Sequence, residues 1–243
     1  MNKTIIIVVA IVVVVAAVST VIALRGWPGG LVGSGNLETE EYAFPDFTEV
    51  EISSAFEFEI DQSSSYSISV TADDNVMNHV RVSQAGQTLK IGLGRVGPIG
   101  LVTLRASVTM PQLSGLTVSG ASRGTVSGFN STEDLDIGVS GASRVSGDIT
   151  AGNVRFGVSG ASSIQLEGSA NEMDATASGA SHLNLDDFVV NNVDVNLSGA
   201  SSGTVNLDGR LDADLSGASN LWYIGEPMMG DIDTSGASTV SKK

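Results

Sequence analysis

The chain repeats one four-residue phrase, Ser-Gly-Ala-Ser, seven times between residues 119 and 238. Successive copies begin 18 to 21 residues apart, a period typical of solenoids, in which every repeat forms one rung of a stack. The copies start at Ser119, Ser140, Ser159, Ser178, Ser198, Ser216 and Ser235. A repeat this short cannot bury a core alone and is stabilised by packing on its neighbours. The phrase therefore predicts a stacked, repetitive fold.

Apolar residues alternate with other residues before each phrase. The positions one, three and five residues upstream are mostly apolar, which is typical of a strand with one buried face. A second short alternation follows the phrase, as Ile164 and Leu166 illustrate, so the chain must turn at the phrase. The position directly before the phrase is occupied by Val118, Val139, Val158, Ala177, Leu197, Leu215 and Thr234. We predict an all-β fold in which residues 113–243 form a single-stranded parallel β-helix of about seven rungs.

The phrase contains only small residues, as a tight corner requires. Glycine tolerates a positive φ, and serine hydroxyls hydrogen bond to nearby backbone groups. Because stacked strands lie about 4.8 Å apart, equivalent corner residues contact one another and bulky side chains would not fit. A nucleophilic serine is the other interpretation of the motif, but no base accompanies the seven copies. We interpret the phrase as a structural corner.

The N-terminal residues have a different composition. Residues 5–24 are apolar except for Ser19 and Thr20, and such a stretch is long enough for a helix that crosses a bilayer core of about 30 Å. We predict one membrane helix within residues 1–25, with the remainder of the chain on the extracytoplasmic side. Small residues such as Ala16 and Ala17 favour the alternative, a cleaved signal and a secreted protein. The glycine-rich residues 26–36 predict a flexible linker.

Charge and cysteine content exclude several classes of function. The net charge is −15, and every acidic residue lies beyond Arg25. An acidic domain repels phosphate-rich polymers, which argues against nucleic acid as a partner. Because the chain has no cysteine, it can form neither disulfides nor a thiolate metal site.

Residues 37–112 predict a second, less regular β region before the repeats. Apolar residues alternate along four segments of this region, and the segments have no fixed period. The alternating residues are Phe56, Phe58 and Ile60, then Tyr66, Ile68 and Val70, then Leu89, Ile91 and Leu93, and finally Val102, Leu104, Ala106, Val108 and Met110. A solenoid requires an atypical end that covers its first rung, and we expect this region to provide it.

Several segments resemble the head GIN domain family of putative autotransporter adhesins. These segments are Phe47-Thr-Glu-Val-Glu-Ile, Phe56-Glu-Phe-Glu-Ile, Tyr66-Ser-Ile-Ser-Val-Thr-Ala-Asp, Gln87-Thr-Leu-Lys-Ile and the repeated Leu116-Thr-Val-Ser-Gly-Ala-Ser. The resemblance covers about residues 37–240 and implies a right-handed parallel β-helix on a secreted or surface-attached protein. It supplies no catalytic motif.

Aspartates recur four positions before the phrase and face outward by strand parity. The column contains Asp174, Asp194, Asp212 and Asp231, with Arg155 between Asp136 and Asp174. Stacked carboxylates attract cations, and calcium prefers oxygen ligands, so these four aspartates are candidate calcium ligands. A solvated acidic face is the alternative. We favour this alternative because the calcium-binding nonapeptide of other β-helices is absent.

The sequence offers little support for an enzyme. Arg123 and Arg144 follow successive phrases and should stack, but no acidic column converges on them. His79 and His182 are far apart, and neither lies within a recognisable catalytic motif. A glycan-active β-helix enzyme would require converging carboxylates. We predict a protein without catalysis and without a cofactor other than the candidate calcium.

Two further features concern the surface. Asn130 and Asn196 lie in glycosylation sequons. Near the end of the sequence, Trp222, Tyr223, Met228 and Met229 form an apolar cluster that we expect to cover the last rung, with Lys242 and Lys243 as charged guards of its edge.

Taken together, the patterns favour an adhesin-like interaction module at the cell surface, anchored to the membrane through residues 5–24. Regular solenoid faces suit extended ligands, so a surface glycan or a protein is the expected partner. A glycan-active enzyme, a structural stalk and a signalling ectodomain are the alternatives.

Overall fold

The computed structural model describes residues 30–243, which form 19 strands and one short helix. The N-terminal strands are β1 (Leu37–Tyr42), β2 (Glu49–Ile52), β3 (Glu57–Gln62), β4 (Ser67–Asp73), β5 (Val80–Ala85), β6 (Thr88–Leu93) and β7 (Leu104–Met110), with helix α1 (Asp74–Met77) after β4. The repeat region contains β8 (Gly115–Val118), β9 (Arg123–Asn130), β10 (Leu135–Val139), β11 (Arg144–Thr150), β12 (Asn153–Val158), β13 (Ser163–Ala177), β14 (His182–Leu197), β15 (Ser202–Leu207), β16 (Arg210–Leu215), β17 (Asn220–Ile224), β18 (Met228–Thr234) and β19 (Thr239–Lys242).

The repeat strands stack in two parallel sheets. Strands that precede a Ser-Gly-Ala-Ser phrase form sheet A, in the order β8, β10, β12, the second half of β13, the second half of β14, β16 and β18. Strands that follow a phrase form sheet B, in the order β9, β11, the first half of β13, the first half of β14, β15, β17 and β19. Each phrase thus joins one strand of each sheet, which confirms the predicted parallel solenoid of about seven rungs.

The N-terminal region adds two rungs in an order that differs from the sequence. Strand β2 lies between β6 and β8 in sheet A, and β3 lies between β7 and β9 in sheet B. The rung formed by β6 and β7 is therefore outside the rung formed by β2 and β3, although it comes later in the chain. Antiparallel strands then end the stack, with β5 on β6, β4 on β7 and β1 on β4.

Part of the predicted linker docks on this end of the solenoid. Leu31 forms a bridge with Ile99, and the N–H of Gly33 donates to the carbonyl of Leu101 at 2.8 Å. The buried Asp73 carboxylate accepts from the N–H of Gly35 at 2.8 Å and from the N–H of Thr103 at 2.6 Å. Because buried carboxylates require such donors, this contact fixes the segment from residue 30 onward.

The predicted fold class requires a correction concerning the membrane. Residues 30–243 contain no helix that is long and apolar enough to span a bilayer, and α1 is only four residues long. The transmembrane helix that we predicted as part of the fold is therefore unsupported. The segment 5–24, on which that prediction was based, lies outside the described residues.

One hydrophobic core runs between the two sheets along the solenoid. Phe58 and Phe156 are among its largest fully buried side chains, and the rings of Phe156 and Phe188 pack edge to face at 6.0 Å. The outermost apolar layer at the N-terminal end includes Val76 and Met77 of α1. Alternate strand residues face this core, as the apolar columns predicted.

The corners explain the small residues of the phrase. The last serine of the phrase faces inward and is buried in the first six copies, as Ser201 illustrates with its hydroxyl donating to the carbonyl of Ser198 at 2.8 Å. Gly160 has φ +77°, and a Cβ there would lie 2.4 Å from the carbonyl oxygen of Gly141 in the preceding rung. Only glycine combines this backbone conformation with so close an approach.

The C-terminal apolar cluster does not cover the last rung. Trp222 is 38%, Met229 45% and Met228 68% exposed, so the cap expected from the sequence is wrong. Lys242 and Lys243 instead form ion pairs with Glu226 and Asp186. These pairs tie β19 to earlier parts of the solenoid.

Candidate functional site

The outer face of sheet A forms a shallow trough that crosses several rungs. One part has a volume of about 650 Å³, and a second has about 570 Å³. Ser114, Asp136, Arg155 and Asp174 line both parts, so the two are continuous. The trough extends from Glu49 and Lys90 in the N-terminal rungs to Arg210 and Asp212 near the other end, and we call it the sheet A trough.

The predicted aspartate column lies along this trough. Asp174, Asp194 and Asp212 are paired in register on three neighbouring strands, as outward parity predicted. Asp231 departs from the column because the register between β16 and β18 shifts, and its side chain is 96% exposed. The structure thus brings three of the four candidate calcium ligands into one row.

Two arginines interrupt the negative charge of the trough. Arg155 contacts both carboxylate oxygens of Asp136, at 2.9 and 3.2 Å, and one oxygen of Asp174 at 3.8 Å. Arg210 forms a two-pronged pair with Asp212, both bonds at 2.6 Å, and reaches Asp231 at 3.5 Å. The trough therefore carries charges of both signs.

Sequence analysis missed the role of Arg210 because it considered only the aspartate column. Arg210 belongs to a neighbouring outward column, two residues earlier in each repeat, which also lines the trough. The other members of that column are Asp134, Asn153, Glu172 and Asn192. They recur with the period of the phrase, so the same alignment of repeats could have found them.

The pKa values of Asp194 and Asp212 are shifted in opposite directions. Partial burial, followed by the charges of Asp174 and Asp212, raises the pKa of Asp194 above its ordinary value. The hydrogen bond from Arg210, followed by the N–H of Asp231, lowers the pKa of Asp212. Asp194 thus binds a proton more readily than Asp212.

The calcium site stays a prediction. Within residues 30–243, no three or more histidine or acidic side chains converge closely enough to hold a metal ion. Asp212 and Asp231 are also occupied by Arg210. A calcium ion would depend mainly on Asp174 and Asp194, whose strands are adjacent.

Small residues form the floor of the trough beside Arg155. Gly138 and Gly157 are paired on adjacent strands, between Thr117 and Thr176 of the flanking rungs. A Cβ on Gly157 would meet nothing within 4 Å, and one on Gly138 would meet only the Thr117 hydroxyl at 3.9 Å. Neither glycine has a positive φ, so backbone conformation and packing do not require glycine here.

The outer face of sheet B carries the remaining candidates. Arg123 and Arg144 are neighbours in register, as predicted, and Glu57 contacts Arg123 from the opposite side. The Nδ1 atom of His182 lies 2.6 Å from the hydroxyl of Ser202 on the next strand. Within the described residues, no carboxylate hydrogen bonds to the His182 imidazole. His79 lies after α1, at the N-terminal end.

Comparison with known proteins gives one family. A family described as "Putative auto-transporter adhesin, head GIN domain" matches residues 46–227. No curated protein matches the chain.

Solved structures share the fold at low identity. A putative adhesin from Bacteroides fragilis aligns with a TM-score of 0.83 and 20% identity, over 88% of this chain and 100% of its own. A putative adhesin from Parabacteroides merdae aligns with a TM-score of 0.68 and 18% identity, over 89% of this chain and 100% of its own. A protein described as a putative lipid binding protein from Parabacteroides distasonis aligns with a TM-score of 0.69 and 20% identity, over 88% of this chain and 99% of its own.

Proposed function

The chain belongs to the head GIN domain family, and from this premise we propose that it is a non-catalytic interaction module of the cell surface, which binds an extended glycan or protein along the sheet A trough. The trough is the observation that carries the proposal. It is open and continuous over several rungs, which suits a chain-like ligand better than a small molecule.

The chemistry of the trough supports a polar ligand. Carboxylates, two arginines and asparagines line it, and these groups exchange hydrogen bonds with sugar hydroxyls or with a peptide backbone. The floor of Gly138 and Gly157 lets a ligand approach the strands closely. The trough contains no deep, enclosed cavity, so affinity would come from several rungs that each contribute a few contacts.

The hydrogen bonds and ion pairs of the polar side chains support binding without catalysis. Two hydrogen bonds from Arg210 lower the pKa of Asp212, which makes this carboxyl group a poor proton donor. The contact between His182 and Ser202 is an exposed cross-strand pair, and no carboxylate of the described residues orients the imidazole. We therefore assign no residue to catalysis.

The purified full-length chain should be tested against an array of immobilised glycans and cell-surface proteins. We expect saturable binding that Gly157→Tyr abolishes, because the new side chain would fill the floor of the trough without straining the backbone. Gln165→Tyr is the control, since it places the same tyrosine side chain at an exposed position of sheet B.

The proposal fails if no ligand on the array binds saturably, or if Gly157→Tyr binds as tightly as the parent chain. Equal losses in both tyrosine variants would place the binding surface elsewhere. Thermal unfolding of each variant shows whether a loss of binding reflects a loss of folding.

A further inference from the structure

We propose that a second site, on the outer face of sheet B, binds acidic polysaccharide through a strip of three arginines. The strip consists of Arg105, Arg123 and Arg144, and Glu57 lies between the first two. This site is separate from the sheet A trough and does not depend on the function proposed for it.

Two of the three arginines of the strip share one carboxylate. Arg105 contacts Glu57 at 3.3 Å and Arg123 contacts it at 3.6 Å, while Arg144 bonds to the hydroxyl of Ser163 at 3.0 Å. Arg123 and Arg144 lie directly beside each other on neighbouring strands, an arrangement of like charges that costs stability. In a chain of net charge −15, this local excess of positive charge is unusual.

The geometry of each contact leaves the terminal nitrogens available. All three arginines use Nε for the contacts just described, and their Nη atoms have no hydrogen-bond partner among residues 30–243. A guanidinium presents five N–H donors and binds carboxylates and sulfates through paired bonds. Each arginine of the strip therefore retains a complete edge for an anion.

The arginines of the sheet A trough differ in this respect. Arg155 directs Nη1 to both oxygens of Asp136, and Arg210 directs Nε and Nη2 to Asp212. Their donors are engaged by aspartates that the repeat supplies. The arginines of the strip are instead held through Nε, and no carboxylate engages their terminal nitrogens among the described residues.

A hollow beside the strip provides a second, independent observation. Ala55, Ala121 and Thr103 line it together with Arg105 and Arg123, and its volume is about 370 Å³. Ala55 and Ala121 have φ values of 64° and 71°, a conformation that costs about 1 kcal/mol or more for alanine. The alanines of later phrases do not adopt it. Among the alanines of the described residues, this strained conformation occurs only at the two that line the hollow.

These features favour an acidic sugar chain over other polyanions. The strip is one residue wide, so a single chain would meet Arg123 and Arg144 on adjacent strands and Arg105 two strands away from Arg123. Thr125 and Ser146, two positions further along the same strands, offer hydroxyls for sugar hydroxyl groups. The acidic remainder of the domain repels a nucleic acid or an anionic bilayer, which would approach over a much larger area.

The test is calorimetric titration of the full-length chain with an oligogalacturonate, at low ionic strength. We expect saturable binding that weakens as salt is added and that is lost when the carboxylates of the oligomer are methyl-esterified. Arg123→Gln should weaken binding about tenfold, because it removes a charge-assisted pair of bonds. Arg95→Gln, which removes an exposed arginine outside both the strip and the sheet A trough, should leave the affinity unchanged.

Several results would overturn the proposal. These are the absence of saturable binding, equal binding of the esterified oligomer, or equal losses in Arg123→Gln and Arg95→Gln. Binding to phosphatidylglycerol vesicles that requires Arg123, without binding to the oligogalacturonate, would assign the strip to a membrane. Gly157→Tyr separates this site from the trough, since it should not affect oligogalacturonate binding.

Discussion

At the scale of residues, the row of Asp174, Asp194 and Asp212 shows how one repeated residue type acquires different properties. The three carboxylates occupy equivalent positions on adjacent strands. Their neighbours differ, because Arg210 donates two hydrogen bonds to Asp212, whereas Asp194 lies between two other carboxylates. Position in the repeat therefore determines orientation, whereas burial and the nearby charged groups determine the pKa.

We predict opposite effects of two isosteric substitutions at neutral pH. The folded-state pKa of Asp194 is raised, so its contribution to stability is present below the unfolded pKa and is lost as pH rises through the folded value. Asp194→Asn should therefore stabilise the protein at pH 7, by at most about 1 kcal/mol because the group is largely solvated. Thermal unfolding should be measured at pH 7 and at about pH 3, where Asp194 is largely neutral in both the folded and the unfolded state. The increase in melting temperature should appear only at pH 7.

Asp212→Asn is the counterpart. The folded-state pKa of Asp212 is lowered, so its stabilising effect is present above the unfolded pKa and disappears as pH falls through the folded value. The melting temperature should decrease at pH 7 and approach that of the parent in acid. If the melting temperatures of both variants shift in the same direction at pH 7, the arrangement of charges around Asp194 and Asp212 is contradicted.

At the scale of elements, the corner is the unit that the sequence repeats most strictly. Its backbone continues the stacking of the strands, since the N–H of Ala161 donates to the carbonyl of Gly141 at 2.8 Å, and the N–H of Ala180 donates in the same way to Gly160. The chain therefore remains hydrogen bonded from one rung to the next through the turn. Any side chain at the glycine position would separate the rungs.

Gly160→Val or Gly179→Val should destabilise the domain by about 3 kcal/mol or more, because valine fits neither the positive φ nor the approach of the preceding rung. Denaturant unfolding measures the change in free energy. Gly157→Val is the matched control, on a strand of sheet A with open space and an ordinary φ, and it should unfold within about 0.5 kcal/mol of the parent. Equal stability of the corner variants and the control would refute the stacked-corner structure.

The same elements show which parts of the fold the sequence could predict. The period of the phrase and the apolar columns predicted the stacking order of β8 to β19, because neighbouring repeats become neighbouring rungs. They did not predict the local register shifts, such as the one between β16 and β18 that displaces Asp231. Alternation also predicted β3, β4, β6 and β7 as strands. It could not predict that β2 pairs with β6 and β8, since an alternating pattern defines a buried face and carries no information about partners.

The candidate sites follow the same division. Strand parity placed the aspartates outward and Arg123 beside Arg144, as observed. The contact of Glu57 with Arg105 and Arg123 was missed, because it joins strands that are distant in sequence and belong to the region without a period. The stacking of equivalent residues inside the repeats was predictable, whereas the contacts of Arg210 within the repeats and the contacts between the repeats and the N-terminal region were not predicted.

At the scale of the whole molecule, the two ends of the stack differ. Antiparallel strands, α1 and residues 30–36 cover the N-terminal end. At the other end, β18 and β19 pair on one side only within the described chain, and Met228 and Met229 are exposed beside them. Exposed strand edges promote association unless charges guard them, and this edge carries Asp231 and Asp233 on β18 together with Lys242 and Lys243 at the end of β19.

Deletion of residues 239–243 should convert a monodisperse protein into larger species, as measured by light scattering. The deletion removes β19 with both lysines and exposes the edge of β17 and the buried Leu221. The full chain with Lys242→Ala and Lys243→Ala separates the two causes, since association of this variant would assign the protection to charge alone. An intact protein that is already oligomeric, and that the deletion disperses, would contradict a guarded edge.

The placement of β2 and β3 between later strands has a consequence for the order in which the protein folds. During synthesis, both strands emerge before any of their partners, and they remain unpaired until residues 88–130 follow. Closing loops of this length delays pairing relative to the local stacking of the repeats. The completed N-terminal rung is then held from both sides, so unfolding should begin at β19 and proceed rung by rung toward β9. Evolution could likewise lengthen or shorten the stack at that end without altering the part that must assemble out of order.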